Sequence, residues 1–284
     1  MLPRIGDLDG RTFLVTGANT GIGRETALAL ARRGGRVFVA SRSEQKTRPV
    51  IDEIATQAGS RAVEFLRLDL GDLESVRACA DEFLRAGEPL HGLINNAGLA
   101  GRRGMTESRF ELAFGTNYVG PFLLTALLLD RLRESAPARV VDVASIGHCR
   151  APGIDFTAIR RRTKSFTGFP EYCVSKLGNV LHAQELARRL GGTGVTTYSL
   201  HPGSVASDVW RRVPWPVRPL MTRKMLSPAE GARTSLYCAT SPDVAAESGH
   251  YYDDCRLAQP STVATVELAA ELWDRSTDWV GLPR

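Results

Sequence analysis

Residues 11 to 27 read "RTFLVTGANTGIGRETA". The first part, "RTFLVTG", has the β-branched and aromatic content of a strand. From Ile22 the chain turns Ala- and Leu-rich, and this helical pattern runs to Arg33. Between them lies a turn containing Gly17, Asn19, Thr20, Gly21, Ile22 and Gly23. Glycines at such a place permit a tight turn and let a phosphate reach backbone N–H groups at the helix's positive end. The G-x-x-x-G-x-G spacing departs from the G-x-G-x-x-G dinucleotide fingerprint, and an ordinary strand–helix connection would read in much the same way. Phosphate binding is favoured by position, directly after the first strand and at the start of the first helix.

The same alternation extends outward. "RVFVAS" (36–41) reads as a second strand, followed by a polar helix over 44–57. "AVEFLRLD" (62–69), "GLINN" (92–96), "ARVVDVAS" (138–145), "VTTYSLH" (195–201) and "GHYYD" (249–253) continue the series. Several of these runs are apolar throughout, as expected when helices cover both faces of a parallel sheet. The pattern predicts an α/β fold: one doubly wound Rossmann-type domain over 1–284, with a parallel sheet of about seven strands and helices on both faces. One segment breaks the rhythm. Residues 207–226, "SDVWRRVPWPVRPLMTRKML", carry Pro214, Pro216 and Pro219, which oppose a single long helix. A long irregular insert in a compact domain is read as a substrate lid, and Trp210, Val213, Trp215, Val217, Leu220 and Met221 make it an apolar one.

Bulk properties narrow the function. Across 284 residues, 43% are hydrophobic, which suits a sizeable core and excludes disorder. The 36 basic and 31 acidic residues leave a net charge of +5, too mild and scattered for nucleic acid but compatible with a polyanionic cofactor. The five cysteines are widely spaced with no CxxC, which argues against a disulfide framework or a zinc site. The first ten residues lack the apolar run of a signal peptide. "PFLLTALLL" (121–129), closed by Asp130, is too short to span a bilayer. A reducing, cytoplasmic setting without an integral membrane segment is expected.

Further along stands "YCVSK" (172–176). On a helix, Tyr172 and Lys176 share a face, and Pro170 and Glu171 suit the first turn of one. An ammonium beside a phenol favours the phenolate and lowers its pKa from about 10, giving a proton donor useful near neutral pH. A surface Tyr/Lys pair has the same spacing, so the pair gains meaning only from its company. That company includes Ser145 at a strand end, which can stabilise developing negative charge on a substrate oxygen or simply make a turn.

"TGANTGIG", "NNAG" (95–98), Asn117, Ser145 and Tyr172-x-x-x-Lys176 occur together and in this order. The set resembles the short-chain dehydrogenase/reductase superfamily from residue 10 to about 255. "GANTGIGRETA", "LHGLINNAG", "NYVGPFLLT", "SAPARVVDVAS" and "GTGVTTYSLHPG" are most similar to its retinol dehydrogenase branch. The resemblance implies that Tyr172 is the general acid in carbonyl reduction and that Lys176 lowers its pKa and holds the nicotinamide ribose. It implies that Ser145 bonds the substrate oxygen and that Asn117 supports a proton relay through water, where a helix-bending amide is the plainer alternative. By the same resemblance Asn95, Asn96, Ala97 and Gly98 run along the adenosine ribose. Asp69, with Leu70 beside it, receives the adenine amino group, unless it only caps the next helix. Pro202, Gly203, Val205 and Ser207 approach the carboxamide.

The choice of nicotinamide cofactor turns on the end of the second strand. An acidic residue there would bond the ribose 2′-hydroxyl of NAD. This chain has Ser41 and Arg42, and a guanidinium can grip a 2′-phosphate as a charge-assisted fork. NADP is therefore expected ahead of NAD. The reading is an NADP-dependent oxidoreductase that interconverts a small-molecule carbonyl and its alcohol. Retinoid, steroid, fatty aldehyde and polyketide-like ketones all stay open as substrates. The alternative is a non-catalytic NADP-binding regulatory or scaffold protein, although none of Ser145, Tyr172 and Lys176 has been lost. A homodimer or homotetramer is expected by analogy.

Overall fold

The computed structural model describes residues 7–205 and 225–283. Eight strands form one sheet in the order β3-β2-β1-β4-β5-β6-β7-β8. These are β1 (Thr12–Thr16), β2 (Arg36–Ser41), β3 (Val63–Arg67), β4 (Gly92–Asn95), β5 (Ala138–Val143), β6 (Val195–His201), β7 (His250–Asp253) and β8 (Arg256–Ala258). The first seven run parallel, and β8 returns antiparallel to β7. The eighth strand is the one difference from the sequence expectation. At three residues, two of them exposed, it has too few side chains to leave a period in the sequence.

β1 is buried at every position, as a central strand covered on both faces should be. β3 lies at the sheet edge and mixes buried Val63 and Leu66 with exposed Glu64 and Arg67 instead. Helices α1 (Gly21–Arg32), α2 (Glu44–Ala58) and α3 (Leu73–Arg85) follow the first three strands. In α3, Val76, Cys79, Ala80 and Phe83 recur at helical spacing and are the residues buried; Phe83 meets Phe38 of β2 edge-on, with ring centroids 5.0 Å apart. Asp72 caps this helix by accepting from Glu74 N at 3.1 Å.

Two apolar clusters sandwich the sheet. Leu14, Leu93, Val140, Phe122 and Leu177 belong to one, and Val15, Val39, Ile94, Ala27 and Leu200 to the other. β4 leads through a short α4 (Leu112–Phe114) and a π-helical turn (Gly115–Val119) into α5 (Gly120–Leu127) and α6 (Leu129–Glu134). The 21-residue α7 (Phe169–Arg189) packs beside β5 and β6, with Leu177 and Leu181 fully buried. α8 (Pro228–Thr240) starts with a reciprocal Ser227/Glu230 capping box, and α9 (Val266–Val280) lies against α7. Strand order reverses between β1 and β4, and the crevice beyond their carboxyl ends is where such sheets bind ligands. Among the described residues no helix is long and apolar enough to cross a membrane.

Candidate active site

The crevice is a cleft of about 790 Å³. Gly17, Asn19, Thr20, Gly21, Ile22 and Gly23 form one wall, Ser41, Arg42, Asp69 and Leu70 another, and Asn96, Ala97 and Gly98 the floor. Gly17 takes φ +67°, and a Cβ there would lie 2.9 Å from Ala97 Cα. A Cβ on Gly23 would lie 2.4 Å from Asn96 Nδ2 and 2.7 Å from the Gly17 carbonyl oxygen. Only bare backbone lets the three segments close. Asn96 Nδ2 donates to the Thr16 carbonyl at 2.8 Å, and Thr16 Oγ1 accepts from Ala97 N at 3.0 Å, so the floor is tied to the end of β1.

α1 differs from its neighbours at its start. α2 and α3 are capped by the side chains of Ser43 and Asp72, whereas Thr20 makes no side-chain cap and the first turn of α1 holds no acid. Its leading N–H groups and dipole are left for an anion in the cleft. Cleft size, glycine wall and uncapped helix together fit a dinucleotide.

Asp69 is not the cap of α3. Its Oδ1 accepts from Gly71 N at 2.9 Å while the residue still lines the cleft. Asn95 departs from the group expected along the cleft. It is buried, and its Nδ2 donates inward to Asp142 Oδ1 at 2.9 Å and to Thr125 Oγ1 at 3.1 Å. Pro202, Gly203 and Val205 follow β6, and Val205 forms a bridge with Leu226. Val205 and Ile22 converge on Gly231, where a Cβ would meet Val205 Cγ2 at 2.5 Å and Ile22 Cγ1 at 3.2 Å. Ser207 and the rest of the expected lid through residue 224 lie outside the described residues.

The four polar residues expected to do chemistry gather in two pairs, Lys176 with Asn117 around Gly98 and Tyr172 with Ser145 around Gly147. A Cβ on Gly98 would lie 3.4 Å from both Lys176 Nζ and Asn117 Oδ1. Lys176 is buried and donates to the Val143 carbonyl at 2.6 Å. Burial pulls its ammonium down to about 8, with the Asp142 carboxylate pushing the other way. Its Nζ stands 5.8 Å from the centroid of the Tyr172 ring. The Tyr172 phenol is raised above its ordinary value, chiefly by burial and against a hydrogen bond with Ser145. The depression expected from Lys176 is not what the phenol's surroundings produce, since burial dominates.

Ser145 lies two residues beyond β5 in extended geometry and caps the 3₁₀ turn Ile146–Arg150, accepting from Gly147 N at 3.1 Å. Gly147 lets the Tyr172 ring come close, since a Cβ there would lie 3.3 Å from Tyr172 Cε1 and 3.4 Å from Ser145 Oγ. Asn117 sits in the π-helical turn, a distortion frequent at functional sites. Its Nδ2 donates to the Leu99 carbonyl and to Ser175 Oγ, both at 2.9 Å, and its Oδ1 accepts from Leu99 N at 2.8 Å. Ser175 Oγ in turn donates to the Tyr172 carbonyl at 2.7 Å. The amide thus ties the cleft floor to the tyrosine's helix.

Sequence reasoning missed Arg67. In the parallel β2–β3 ladder it pairs with Ser41, and it shares a recess with Arg42 next to the main cleft. Neither guanidinium makes a hydrogen bond or ion pair among the described residues. The available signal was an arginine ending the third strand, two positions before Asp69.

A family model described as short chain dehydrogenase matches residues 11–215. Human retinol dehydrogenase 11 is 45% identical over 281 residues, covering 97% of this chain and 87% of that protein. Among solved structures, an uncharacterised protein of Mycobacterium paratuberculosis superposes with a TM-score of 0.77 at 31% identity, covering 98% of this chain and 96% of that one. A short chain dehydrogenase of Escherichia coli CFT073 complexed with NADPH gives a TM-score of 0.70 at 25% identity, covering 89% and 99%.

Proposed function

The chain belongs to the short-chain dehydrogenase family, and on that premise we propose that it is an NADP-dependent oxidoreductase interconverting an apolar aldehyde or ketone and its alcohol, with Tyr172 as proton donor and acceptor. The observation that carries the reading is that Lys176 and Asn117 flank Gly98, which lines a dinucleotide-sized cleft, while Lys176 also stands 5.8 Å from the ring of Tyr172, itself beside Ser145. The uncapped start of α1 would hold the pyrophosphate, Asp69 would face the adenine, and Lys176 would hold the nicotinamide ribose. A nicotinamide bound in the cleft would supply the hydride chemistry.

Ser145 Oγ accepts from Gly147 N, and its own proton, which favours the Tyr172 phenolate, would be offered to the substrate oxygen once a carbonyl is bound. A raised Tyr172 stays protonated at neutral pH and can donate to that oxygen as negative charge develops. Lys176, charged below about pH 8, stabilises the phenolate left behind. Phe169 stacks on the Tyr172 ring at 5.9 Å, and Phe169 and Ile146 remain exposed, which favours an apolar substrate. The 207–226 segment would complete that surface as a lid. A reducing, cytoplasmic compartment belongs to the same proposal, supported by five unpaired cysteines.

The preference for NADP rests on Arg42 and Arg67, two guanidinium groups near Ser41 that are unpaired among the described residues. The test is a panel of apolar aldehydes and ketones assayed with NADPH and NADH, on the wild type and on Arg42→Asp. NADPH turnover is expected, and Arg42→Asp should raise KM for NADPH at least tenfold, about 1.4 kcal/mol, while sparing NADH. Equal effects on the two nucleotides would remove the arginine from recognition. NADPH binding without turnover of any carbonyl would favour a non-catalytic nucleotide-binding protein.

A further inference from the structure

Asp142 precedes Ser145 by three residues on β5 and is completely buried. A carboxylate in such a place is costly unless it is hydrogen-bonded and its charge compensated. Its Oδ1 accepts from Asn95 Nδ2 at 2.9 Å and its Oδ2 from His182 Nδ1 at 2.7 Å. His182 stands on α7, on the same helix as Tyr172 and Lys176. The bond to Asp142 selects the tautomer with its proton on Nδ1. Nε2 has no partner. The rings of Tyr118, Phe122 and Trp273 pack around the imidazole with centroids at 6.3, 5.7 and 5.9 Å. Both carboxylate oxygens are thus hydrogen-bonded, and a buried carboxylate still calls for a compensating cation.

Lys176 is the cation placed to answer it. Its Nζ bonds the carbonyl of Val143, the residue immediately after Asp142. The groups packed around the lysine contribute little other charge. Its own helix offers the Tyr172 phenol and, beyond Asp142, His182; the π-helical turn offers the uncharged Asn117 and the Tyr118 phenol. Asp142 is the one charged group that acts on Lys176 among the described residues, and it opposes the effect of burial.

We propose that Asp142, gripped by His182 and Asn95, is a positioning residue that acts through Lys176, keeping the buried lysine in its ammonium form beside Gly98. The proposal rests on the reading of Lys176 as the partner of Tyr172 and of the cofactor. His182 and Asn95 do for the carboxylate what water does at a surface, so that its charge survives burial and remains available to the lysine.

The test is the pH profile of kcat for NADPH-dependent aldehyde reduction in Asp142→Asn. The substitution keeps shape. The new amide oxygen can still accept from His182, and Asn95, whose Oδ1 has no partner, can turn to accept from the new NH₂. Loss of the charge should move the alkaline limb down by about one pH unit, with cofactor affinity at mildly acidic pH unchanged. A lower kcat at every pH with the limb unmoved would show a structural role and overturn the proposal. The second readout is the ammonium titration of Lys176 followed by NMR of labelled lysine, assigned with Lys176→Ala. It needs no turnover, so it decides this proposal even if no carbonyl proves to be a substrate. The same downward shift is expected there, and an unshifted titration refutes it. If the single variant fails to fold, Asp142→Asn/His182→Phe removes acceptor and donor together and keeps the aromatic packing. It should show the same shift in both measurements, and wild-type values in it would refute the idea equally.

Discussion

Asn117→Ala separates two roles for the asparagine that the sequence leaves open. The substitution deletes three side-chain hydrogen bonds, with Leu99 N, the Leu99 carbonyl and Ser175 Oγ, at 2.8, 2.9 and 2.9 Å. Each partner is partly or fully buried, and each bond is worth about 1 kcal/mol net, so the expected loss is about 3 kcal/mol. For a chain of this size that lowers Tm by roughly 8 °C. The damage should not stop at stability. Leu99 follows Gly98 on the floor of the cleft, and Ser175 bonds the Tyr172 carbonyl, so both cofactor affinity and the placing of the phenol should suffer. Calorimetry gives the first quantity, and NADPH titration with steady-state kinetics gives the others. A variant with wild-type Tm and wild-type NADPH affinity, slowed in kcat alone, would refute this reasoning and leave Asn117 as a relay residue only.

Tyr172→Phe should lower turnover by about 10² to 10⁴, the usual worth of a positioned acid, while NADPH binds as before; full activity would remove the phenol from the mechanism. Gly23→Ala drives a methyl to 2.4 Å from Asn96 Nδ2 and 2.7 Å from the Gly17 oxygen. It is expected to cost about 1–3 kcal/mol in denaturant unfolding, together with weakened NADPH binding, because the wall can relax only into the cleft; unchanged affinity would show that the wall does not hold the cofactor.

Much of the molecule was legible because its signals are short-range. β1, the glycine turn and α1 are consecutive in sequence, and their residue types leave few alternatives to a strand, a tight turn and a helix start. Tyr172 and Lys176 need only the helical repeat to be brought to one face, and Ser145 needs only a strand end. The strand series was readable through β7 since a parallel sheet covered on both faces forces near-continuous apolar runs. β8 escaped because it contributes three residues with no face to bury.

What the sequence determined by itself was therefore the fold class and the cleft's glycine wall, and it singled out the polar residues that the fold gathers near Gly98 and Gly147. Tertiary structure alone decided what those residues touch. It turned Asn95 inward to Asp142, set Arg67 beside Ser41 through the β2–β3 register, and paired Asp142 with His182 from another element. It also left the Tyr172 phenol raised, chiefly by burial, where a depression was expected. The physical reason is common to all four. Propensity and periodicity act between neighbours in sequence, whereas hydrogen-bond partners and desolvation depend on which surfaces the sheet brings together, and no local pattern encodes that.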